Sequence, residues 1–521
     1  MHRLVIALVS LIGLTGVAVV AGYLFLFSAG TDRAARLAPA DTAVYVNVYL
    51  QPSAGQQMNL SALIGRFPGF ADDATLDDKV DQIVQNMLSG AGVDYRADVK
   101  PWLGDQVAIA ARPESPDPAE AEPVVIAEVK DRAAAEDAIV ELAGEGATFS
   151  VQAYEGVEIQ VATDTAYAFV DEMLVIGPGA DAISRVIDVS RGADSLAARP
   201  DFQSTMDAMP TDHLAAAFFD LAALAGAMEA EQQLDAVSTA GAVLVAEQDG
   251  LHLSGSAPFA MDAAEPSGRA GFALGTEPSS LVGWMPADTM AEIVVFGLRQ
   301  TLEDAEAAAA DAPEMAEVTS ALDTARAVVA FGLGIDLDAD ILPLLDREVA
   351  IGFRGMDGEL PSGLLLLRPE NATAAEASLA TIAERLSAIG AQATTEQVGD
   401  VALTTVALPD VGEVAFTVTD EIVIIGLGSD DVLASIEAHD AGTSLGQSEP
   451  YRHAFEVAGT RAGNEAWVNV AEIVELFGGA GLDDDTRDIL GQIGAFAITA
   501  PSRDDQIEFH AVLTVLETRP E

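Results

Sequence analysis

The chain has 521 residues, of which 50% are apolar, and this is enough to build at least two hydrophobic cores and to exclude disorder throughout. It carries 83 acidic residues against 25 lysines and arginines, and the formal net charge of −58 disfavours binding to nucleic acid or to an anionic membrane face. Cysteine is absent, so disulfides, thiol nucleophiles, thiolate metal sites and the lipid-bearing cysteine of a lipoprotein are excluded.

The first predicted element is an apolar segment from Leu4 to Phe27 that contains no charged residue. As a helix it rises about 1.5 Å per residue, so it exceeds the roughly 30 Å hydrocarbon thickness of a bilayer. Residues 28–30 (SAG) would suit signal cleavage, but a cleaved signal has an apolar region of only about 7–15 residues. We therefore predict a single-pass transmembrane anchor at residues 1–30. Arg3 before the span predicts a cytoplasmic N-terminus and places the remaining chain outside the cytoplasm.

After the predicted anchor, segments of the first half of the sequence recur in similar form in the second half. Residues 92–103 read GVDYRADVKPWL, and residues 334–345 read GIDLDADILPLL. Residues 39–42 and 286–289 both read PADT, and each of these segments precedes an apolar strand. The repetition predicts two copies of one ancestral unit, in which a residue shared by both copies serves the fold rather than a unique reaction.

The two copies can be aligned along most of their length with only small changes in the offset between matched residues. Further matches join residues 105–109 (DQVAI) to 347–351 (REVAI), 171–177 (DEMLVIG) to 420–426 (DEIVIIG), and 218–222 (FFDLA) to 467–471 (WVNVA). The second of these matches predicts a β-hairpin in each copy, with an aspartate-centred turn between two short apolar strands.

Short strands alternate with alanine-rich stretches that have a helical period. The predicted helices lie near residues 131–145, 179–190, 221–237, 300–329, 371–389 and 429–439. Short turns between neighbouring strands predict antiparallel pairing. The predicted fold class is α+β, with two tandem duplicated lobes, each an antiparallel sheet with helices packed against one face.

The segment at residues 261–280 follows neither the helical nor the strand period, since it contains two prolines and three glycines. We place the boundary between the copies there. The predicted organisation is therefore an anchor at residues 1–30, a first lobe at 31–260, a linker at 261–280 and a second lobe at 281–521.

Residues 336–340 (DLDAD) resemble the start of a calcium loop, in which alternate residues supply oxygen ligands. The loop also needs glycine at its sixth position and glutamate at its twelfth, where this chain has Ile341 and Arg347. The first copy keeps the two outer aspartates but has Arg96 in place of Asp338. We therefore predict turn and helix-cap roles for the outer aspartates.

Two glycine-rich turns, GPG at residues 177–179 and GLG at residues 426–428, follow strands and precede helices. A dinucleotide-binding turn needs a third glycine three residues further on, where Ala182 and Asp431 stand. We predict that both segments only end their strands.

The other motifs give no reactive constellation. The six histidines have no metal-binding helical spacing, and neither a Gly-x-Ser-x-Gly elbow nor a Ser-x-x-Lys pattern is present. Trp102 corresponds to Leu344, which predicts a core role for the indole. The sequence assigns no catalytic, cofactor-binding or metal-binding residue and implies no cofactor.

Three features resemble a bacterial family of membrane-anchored extracytoplasmic proteins called domain of unknown function 3352. They are the anchor followed by residues 37–42 (LAPADT), the segment 98–108 with KPWLG inside it, and the Asp-Glu hairpin turn. The resemblance covers most of the chain and brings no established activity. The second copy departs from the pattern, because Leu344 and Asp346 replace the tryptophan and glycine of KPWLG.

We expect a non-catalytic binding or scaffolding module of the cell envelope. Its partners would be the membrane, through the N-terminal helix, and an envelope protein or a lipid, but not nucleic acid. The alternative is a carrier or sensor of an apolar ligand such as lipid. A third hypothesis is an enzyme, which would need a pocket that gathers polar side chains present in only one copy. The acid excess fits either a solvated surface suited to salt or the capture of cations.

Overall fold

The structure, a computed structural model, describes residues 32–517 of the chain with the exception of residues 52, 68–77, 80, 83, 86–92, 113–121, 144–147, 164, 228–235, 265, 312–323, 325, 328–329, 331–333, 359, 389, 400, 409–411, 420 and 479–483. The predicted transmembrane anchor at residues 1–30 lies outside the described residues. Within the described part, no helix combines the length and the apolar character needed to cross a membrane.

The chain divides into two compact units. The first consists of Met1–Ala264, Asp505–His510 and Val515–Glu521, and the second of Glu265–Asp504 and Ala511–Thr514. Both units combine antiparallel strands with helices, so the predicted α+β class is confirmed.

The first unit contains an antiparallel sheet. Its strands are β1 (Val44–Tyr49), β2 (Leu103–Ala111), β3 (Val124–Val129), β4 (Ser150–Tyr154), β5 (Val157–Val161), β6 (Ala166–Val170), β7 (Met173–Gly177), β8 (Ala215–Asp220), β9 (Thr239–Ala246) and β10 (Gly250–Pro258). Its helices are α1 (Ala54–Ile64), α2 (Arg132–Ala143), α3 (Ala180–Ser190), α4 (Pro200–Asp207) and α5 (Leu221–Ala227). The strand order is β4-β5-β6-β7-β3-β2-β1-β8-β9-β10.

The second unit contains a sheet of the same kind. Its strands are β11 (Ala291–Phe296), β12 (Glu348–Asp357), β13 (Leu360–Arg368), β14 (Gln392–Val398), β15 (Val401–Leu408), β16 (Gly412–Val418), β17 (Val423–Gly426), β18 (Asn464–Asn469), β19 (Ile493–Ala500), the short β20 (Ser502–Arg503) and residues 511–514 of the last strand, β21 (Gln506–Val515). Its helices are α6 (Pro266–Leu274), α7 (Leu298–Asp311), α8 (Ala372–Ala388), α9 (Ser429–Ala441), α10 (Glu449–Ala458), α11 (Val470–Leu476) and α12 (Asp484–Leu490).

The order in the second sheet is β14-β15-β16-β17-β13-β12-β11-β18-β19, and β19 also pairs with β21. This order matches that of the first unit strand for strand. The two PADT segments also make the same contact, because Pro39 forms an isolated bridge with Ser195 and Pro286 forms one with Ser444.

The core of the first unit lies between the sheet and helix α3. Ile183, Val186 and Ile187 form an apolar stripe on the helix, and they belong to one buried cluster with Ile126 and Val175 of the sheet. Residues at this spacing lie on one face of a helix, and burying each such side chain is worth about 1.5–3 kcal/mol.

The sheet of the second unit has helices on both faces, which corrects the predicted packing against one face. Leu366 lies in a cluster with Tyr451 of α10, whereas its neighbour Leu367 lies in a separate cluster with Leu379 of α8. The physical reason is the run of four leucines at residues 364–367, because neighbouring residues of a strand point to opposite faces and both faces are therefore apolar.

The predicted hairpin of the first copy is confirmed. Asp171 and Glu172 form the turn between β6 and β7, and Asp171 adopts the left-handed conformation with φ 54°. In the second copy β16 and β17 pair in the same antiparallel way, while residue 420 lies outside the described residues. Residues 261–280, predicted to be irregular, contain helix α6. Pro266 begins this helix, where its missing N–H costs nothing.

Candidate functional site

The second unit contains two buried glutamates on neighbouring strands. Glu292 of β11 is 1% exposed, whereas the next residue, Ile293, points to the other face and is 53% exposed. The register between β11 and β18 places Glu292 opposite Trp467 and Val294 opposite Glu465. Residues that face each other across an antiparallel pair share one face of the sheet, so both glutamates lie on the same buried face.

Glu465 is hydrogen-bonded on both of its carboxylate oxygens. Oε1 accepts from Tyr451 Oη at 3.1 Å and from Arg461 Nη2 at 3.0 Å, and Oε2 accepts from Arg461 Nε at 3.0 Å. Arg461 Nη2 also donates to the backbone oxygen of Ser279 at 3.2 Å. The guanidinium carbon lies 5.2 Å from the centre of the Tyr451 ring. This two-pronged ion pair with supporting hydrogen bonds compensates for the burial of Glu465.

Glu292 has no such compensation, since both of its carboxyl oxygens are buried without a hydrogen-bond partner in the described part of the chain. Burial raises the pKa of Glu292 well above its ordinary value, and the charge of Glu465 raises it further, against the lowering effect of Arg461. Burial also raises the pKa of Glu465, against the lowering effects of Arg461 and the Tyr451 hydroxyl. One guanidinium thus faces two carboxyl groups, and the pKa of Glu292, which has no hydrogen bond among the described residues, is raised more than that of Glu465.

A cavity of about 390 Å³ lies beside this cluster in the second unit. Its lining includes Tyr451, Arg452, Phe455 and Glu456 of α10, together with Thr460 and Arg461 from the segment that follows the helix. Tyr451 and Arg461 belong to both the cavity wall and the glutamate cluster, so they connect the cavity to the buried acids. We take the cavity and the four residues Glu292, Tyr451, Arg461 and Glu465 as the candidate site and call these four the glutamate cluster.

The glutamate cluster has no counterpart in the first unit. Tyr45 of β1 lies opposite Phe218 just as Glu292 lies opposite Trp467, and this fixes the equivalence of the two sheets. The equivalent residues of the first unit are Tyr45 for Glu292, Phe202 for Tyr451, Asp212 for Arg461 and Ala216 for Glu465. In place of the glutamate, the Tyr45 hydroxyl donates to Asp32 Oδ1 at 2.6 Å. The polar cluster is therefore a property of the second unit alone.

The aspartates of the calcium-like motif cap a helical turn. Asp336 Oδ1 accepts from the backbone N–H groups of residues 338–339, both at 3.0 Å, and Asp340 Oδ2 accepts from the backbone N–H of Asp336 at 2.9 Å. The first unit repeats this arrangement, because Asp94 Oδ1 accepts from the following turn at 3.0 Å and Asp98 Oδ2 accepts from Asp94 N at 2.8 Å. The predicted cap roles are confirmed.

The two glycine-rich turns join a strand to a helix, as predicted. Gly179 and Gly428 lie at the N-cap positions of α3 and α9. At the second turn packing requires glycine, since a Cβ on Gly426 would lie 2.8 Å from the Cβ of Asp431. Asp431 is itself buried and accepts from Arg354 Nη1 at 2.7 Å, so it is engaged in an ion pair within the fold.

No histidine is among the residues that line the cavity or form the glutamate cluster. His252 Nε2 lies 3.0 Å from His510 Nδ1 in the first unit, and burial followed by the charge of His510 lowers the pKa of His252 to about 4. His439 stacks on Trp284 with ring centres 3.5 Å apart. Within the described ranges, no group of three or more histidine, aspartate and glutamate side chains is placed to hold a metal ion.

The glutamate cluster was not predicted from the sequence, although the sequence contains a signal for it. Residues 292, 294 and 296 alternate with outward-facing residues in a short strand, so a charged residue at 292 occupies an inward position. A second signal lies in the comparison of the copies, since residue 465 is an acid where the first copy has Ala216. Neither signal reveals that the two acids meet, because the pairing of β11 with β18 brings them together.

Comparison with known proteins gives one family. A family model described as "Protein of unknown function (DUF3352)" matches residues 4–515. No curated protein matches the chain. Among solved structures, crystal form IV of TP0453 is 12% identical, with 43% of this chain and 79% of that chain covered and a TM-score of 0.25. Crystal form III of TP0453 is also 12% identical, with 48% and 89% covered and a TM-score of 0.26.

Proposed function

We propose, from the premise that this chain belongs to the DUF3352 family of proteins of unknown function, that it is a membrane-anchored, extracytoplasmic module that binds a partner and catalyses no reaction. The uncharged segment from Leu4 to Phe27 supports the anchor, and Arg3 before it supports a cytoplasmic N-terminus. The described units would then lie on the outer side of the membrane.

We further propose that the two units arose by duplication of one ancestral lobe. Their identical strand order supports this, as do the matching cap contacts of Asp94 and Asp336. A duplicated scaffold explains why most shared residues serve the fold. Function is then expected where the copies differ.

The observation that carries the binding function is the cavity of about 390 Å³ beside the glutamate cluster. Its volume lies within the range of about 300–1,000 Å³ that small-molecule sites occupy. It combines aromatic walls with arginine and threonine side chains, and the polar residues behind it are present in one unit only. A site for a small molecule or for a side chain of an envelope protein accounts for this difference between the units.

The enzyme hypothesis requires a pocket that gathers polar side chains present in only one copy. The glutamate cluster of the second unit supplies such side chains beside the cavity. Binding without catalysis is nevertheless the better proposal. A general acid or base must come within hydrogen-bond reach of its substrate. The residues that line the cavity include Tyr451 and Arg461, but neither Glu292 nor Glu465.

The carrier or sensor of an apolar ligand stays the second candidate. Phe455 and the Tyr451 ring favour it, since their ring centres lie 4.8 Å apart and both residues line the cavity. The charged lining residues Arg452, Glu456 and Arg461 favour a ligand that also has a polar group.

Fractionation of cells that express the full chain tests the anchor. We expect the protein to stay in the membrane pellet after an alkaline carbonate wash, and we expect protease added to spheroplasts to digest its outer part. Release of the intact chain into the soluble fraction, or protection from external protease, would contradict the proposed location.

Affinity capture with the full chain tests the binding role. The chain is solubilised from membranes after crosslinking in intact cells, in parallel with the variant Arg461→Gln. We expect one molecular species to be captured repeatedly by the parent chain and depleted with the variant. Failure to recover any reproducible species with the parent chain would count against a binding module.

A further inference from the structure

We infer that the cavity of the second unit binds a small organic anion, a carboxylate or phosphate ester with a short apolar tail, and that the anion binds together with one proton. This inference rests on the proposed function, because it names the ligand class of the proposed binding site. It follows from three properties of the site: unused donors, apolar walls and one guanidinium shared between the cavity and the buried acids.

The cavity presents hydrogen-bond donors that the described part of the chain does not use. Arg461 donates through Nε and Nη2, while its Nη1 has no partner there. Arg452 donates through Nη2 to Glu456 at 3.2 Å, and neither its remaining donors nor the Thr460 hydroxyl has a partner among the described residues. Guanidinium groups are suited to carboxylate and phosphate because their planar N–H groups match two oxygens at once. The unused donors therefore favour an anionic group.

The walls beside these donors favour a short apolar tail. Phe455 and Tyr451 both line the cavity, and the Tyr451 ring also contacts the guanidinium of Arg461. The cavity volume of about 390 Å³ accommodates a small molecule rather than a long acyl chain.

The uptake of a proton on anion binding is inferred from the position of Arg461, which already forms an ion pair with Glu465. An anion in the cavity competes with Glu465 for the same guanidinium. Arg461 lowers the pKa of Glu465 in the present arrangement, so a weakened ion pair increases the proton affinity of that carboxyl group. A buried acid that loses its cationic partner takes up a proton rather than remain charged. Anion binding and proton binding are thereby coupled.

Titratable and charged groups from several elements lie around the Arg461–Glu465 ion pair. They are Glu292 on β11, Glu348 on β12, Glu465 on β18, Tyr451, Arg452 and Glu456 on α10, and Arg461. On the sheet side, the charges of Glu465 and Glu348 oppose the entry of a further negative charge. Uptake of a proton removes one of these charges and makes room for the anion.

Other ligand classes fit less well. A cation would meet Arg452 and Arg461 at the cavity wall. A neutral apolar molecule would cover Arg461 Nη1 and the Thr460 hydroxyl without supplying an acceptor, and burying unpaired polar groups is costly.

Calorimetric titration of the full chain in a non-ionic detergent tests the inference. The probes are hexanoate, hexyl phosphate, inorganic phosphate and, as the neutral control, 1-hexanol. We expect binding of hexanoate or hexyl phosphate, and the better of the two identifies the head group. Inorganic phosphate, which lacks the tail, and hexanol, which lacks the charge, should bind at least about tenfold more weakly. The affinity for hexanoate, whose own carboxylate stays ionised near neutral pH, should rise by up to about tenfold for each unit of pH decrease as long as one proton is taken up on binding. Titrations in two buffers of different ionisation enthalpy count that proton directly.

Three variants locate the effect. Arg461→Gln should reduce the affinity by at least about tenfold, while Arg36→Gln, on the exposed surface of the first unit, should leave it unchanged. Glu465→Gln frees the guanidinium and should bind the anion more tightly at about pH 8, with little pH dependence. Circular dichroism and melting curves establish that each variant folds. Where Glu465→Gln does not fold, the proton count in the two buffers tests the linked proton on the parent chain, and Glu292→Gln, in which Glu465 still titrates, should keep the pH dependence.

Each contrary result overturns a defined part of the inference. Equal affinity for hexanol and hexanoate would exclude an anion site and favour the apolar carrier. Unchanged affinity in Arg461→Gln would exclude this cavity, and pH-independent binding in the parent chain would exclude the linked proton. If no probe binds while a macromolecular partner is still captured, the ligand class is wrong and the binding module stands. If neither is found, the proposed function itself fails.

Discussion

At the scale of single residues, two tryptophans are equally buried but differ in hydrogen bonding. Trp102 and Trp467 are each 1% exposed. The indole of Trp102 donates to the backbone oxygen of Asp98 at 2.7 Å, whereas Trp467 Nε1 is buried without a partner in the described part of the chain. Burying an N–H group without an acceptor lowers the free energy of unfolding. Of these two tryptophans, this applies to Trp467 but not to Trp102.

Phenylalanine substitutions at the two sites measure this difference. Trp102→Phe and Trp467→Phe remove the same atoms from equally buried positions, so their packing losses are similar. We expect Trp102→Phe to lower the free energy of unfolding by about 1 kcal/mol more than Trp467→Phe, since only the former loses a hydrogen bond. Denaturant unfolding of both variants checks this expectation. Equal losses would show that the Trp102 hydrogen bond contributes nothing measurable.

Glu292 should make stability depend on pH. Its pKa in the folded chain is raised by burial, and the charge of Glu465 raises it further. The folded state therefore holds a proton that the unfolded state releases, and the resulting stabilisation is complete below the unfolded pKa and lost as pH rises through the folded pKa. We predict that Glu292→Gln melts near the parent temperature at about pH 4 but is more stable at about pH 8, by about 1–3 kcal/mol.

Thermal melts across this pH range test the prediction, with Glu303→Gln on the exposed surface of helix α7 as the control. Glu465 still titrates in the Glu292→Gln variant, so a shallower pH dependence is expected rather than none. A variant that is less stable than the parent chain at both pH values would show that Glu292 is ionised and engaged in the fold.

At the scale of secondary-structure elements, both units cap equivalent backbone N–H groups, one with a neutral side chain and the other with an acidic side chain. Gln106 Oε1 accepts from the backbone N–H groups of residues 33–34, at 3.0 and 3.2 Å. The equivalent Glu348 Oε1 accepts from those of residues 280–281, at 3.0 and 3.1 Å. In each unit a side-chain oxygen on a strand therefore accepts from two consecutive backbone N–H groups, and the fold requires the acceptor rather than the charge.

The neighbouring charges have changed in step with this substitution. In the first unit, neutral Gln106 lies beside an ion pair between Arg33 and Glu128. In the second unit, the acid is Glu348 itself, and the position of Glu128 holds Arg368, which donates to Ser280 Oγ at 3.0 Å. Each unit thus keeps at least one acid and one arginine around the cap. The hydrogen-bond geometry of the cap is therefore the same in both units, although the charged residues around it differ.

Removal of the aspartate caps should weaken the single helical turns that they begin. We predict that Asp94→Ala and Asp336→Ala each cost about 0.5–2 kcal/mol, with Asp336→Ala at the upper end because its Oδ1 accepts from two N–H groups. Asp338→Ala is the matched control, since the Asp338 side chain is exposed. Chemical denaturation gives these costs, and calcium chloride should raise the melting temperature of the parent chain no more than sodium chloride of the same ionic strength does. A calcium-dependent rise that Asp336→Ala abolishes would restore the calcium interpretation.

Elements with a strong local signal could be predicted from the sequence, whereas the candidate site could not. The hairpin at Asp171 and the helix at Arg132–Ala143 follow from turn chemistry and from an uninterrupted helical period. Helices Pro200–Asp207 and Glu449–Ala458 were not predicted, because each is short and gives only a brief stretch of helical periodicity. The second of these supplies Tyr451 and Phe455 to the cavity, so missing it also hid the cavity wall.

At the scale of the whole molecule, charge dominates the physical chemistry. The chain carries 83 acids and 25 lysines and arginines, and many of those arginines are already paired with acids within one unit. The same ion pair occurs in both units, between Arg112 and Asp41 at 2.7 Å and between Arg354 and Asp288 at 2.6 Å. Most acids therefore have no basic partner available anywhere in the chain. Their mutual repulsion opposes the folded state, which holds the charges closer together than the unfolded chain does.

Salt should consequently stabilise this protein. The screening length is about 10 Å at 0.1 M salt and about 3 Å at 1 M, so molar salt removes repulsion between acids that are not direct neighbours. We expect the melting temperature of the full chain to rise steadily as sodium chloride increases from low to molar concentration. The exposed ion pairs lose strength over the same range, but each contributes only about 0–1 kcal/mol, and the excess of unpaired acids outweighs them.

Three comparisons make this test specific. Potassium chloride should act like sodium chloride, since screening depends on ionic strength, whereas selective capture of one cation would separate the two salts. Glu292→Gln should keep the salt response, because its carboxyl group is buried away from the charged surface and has no hydrogen-bond partner among the described residues. A melting temperature that does not change with salt would mean that the acids are neutralised by some other means, and selective stabilisation by one cation at low concentration would assign the acidic surface to cation binding.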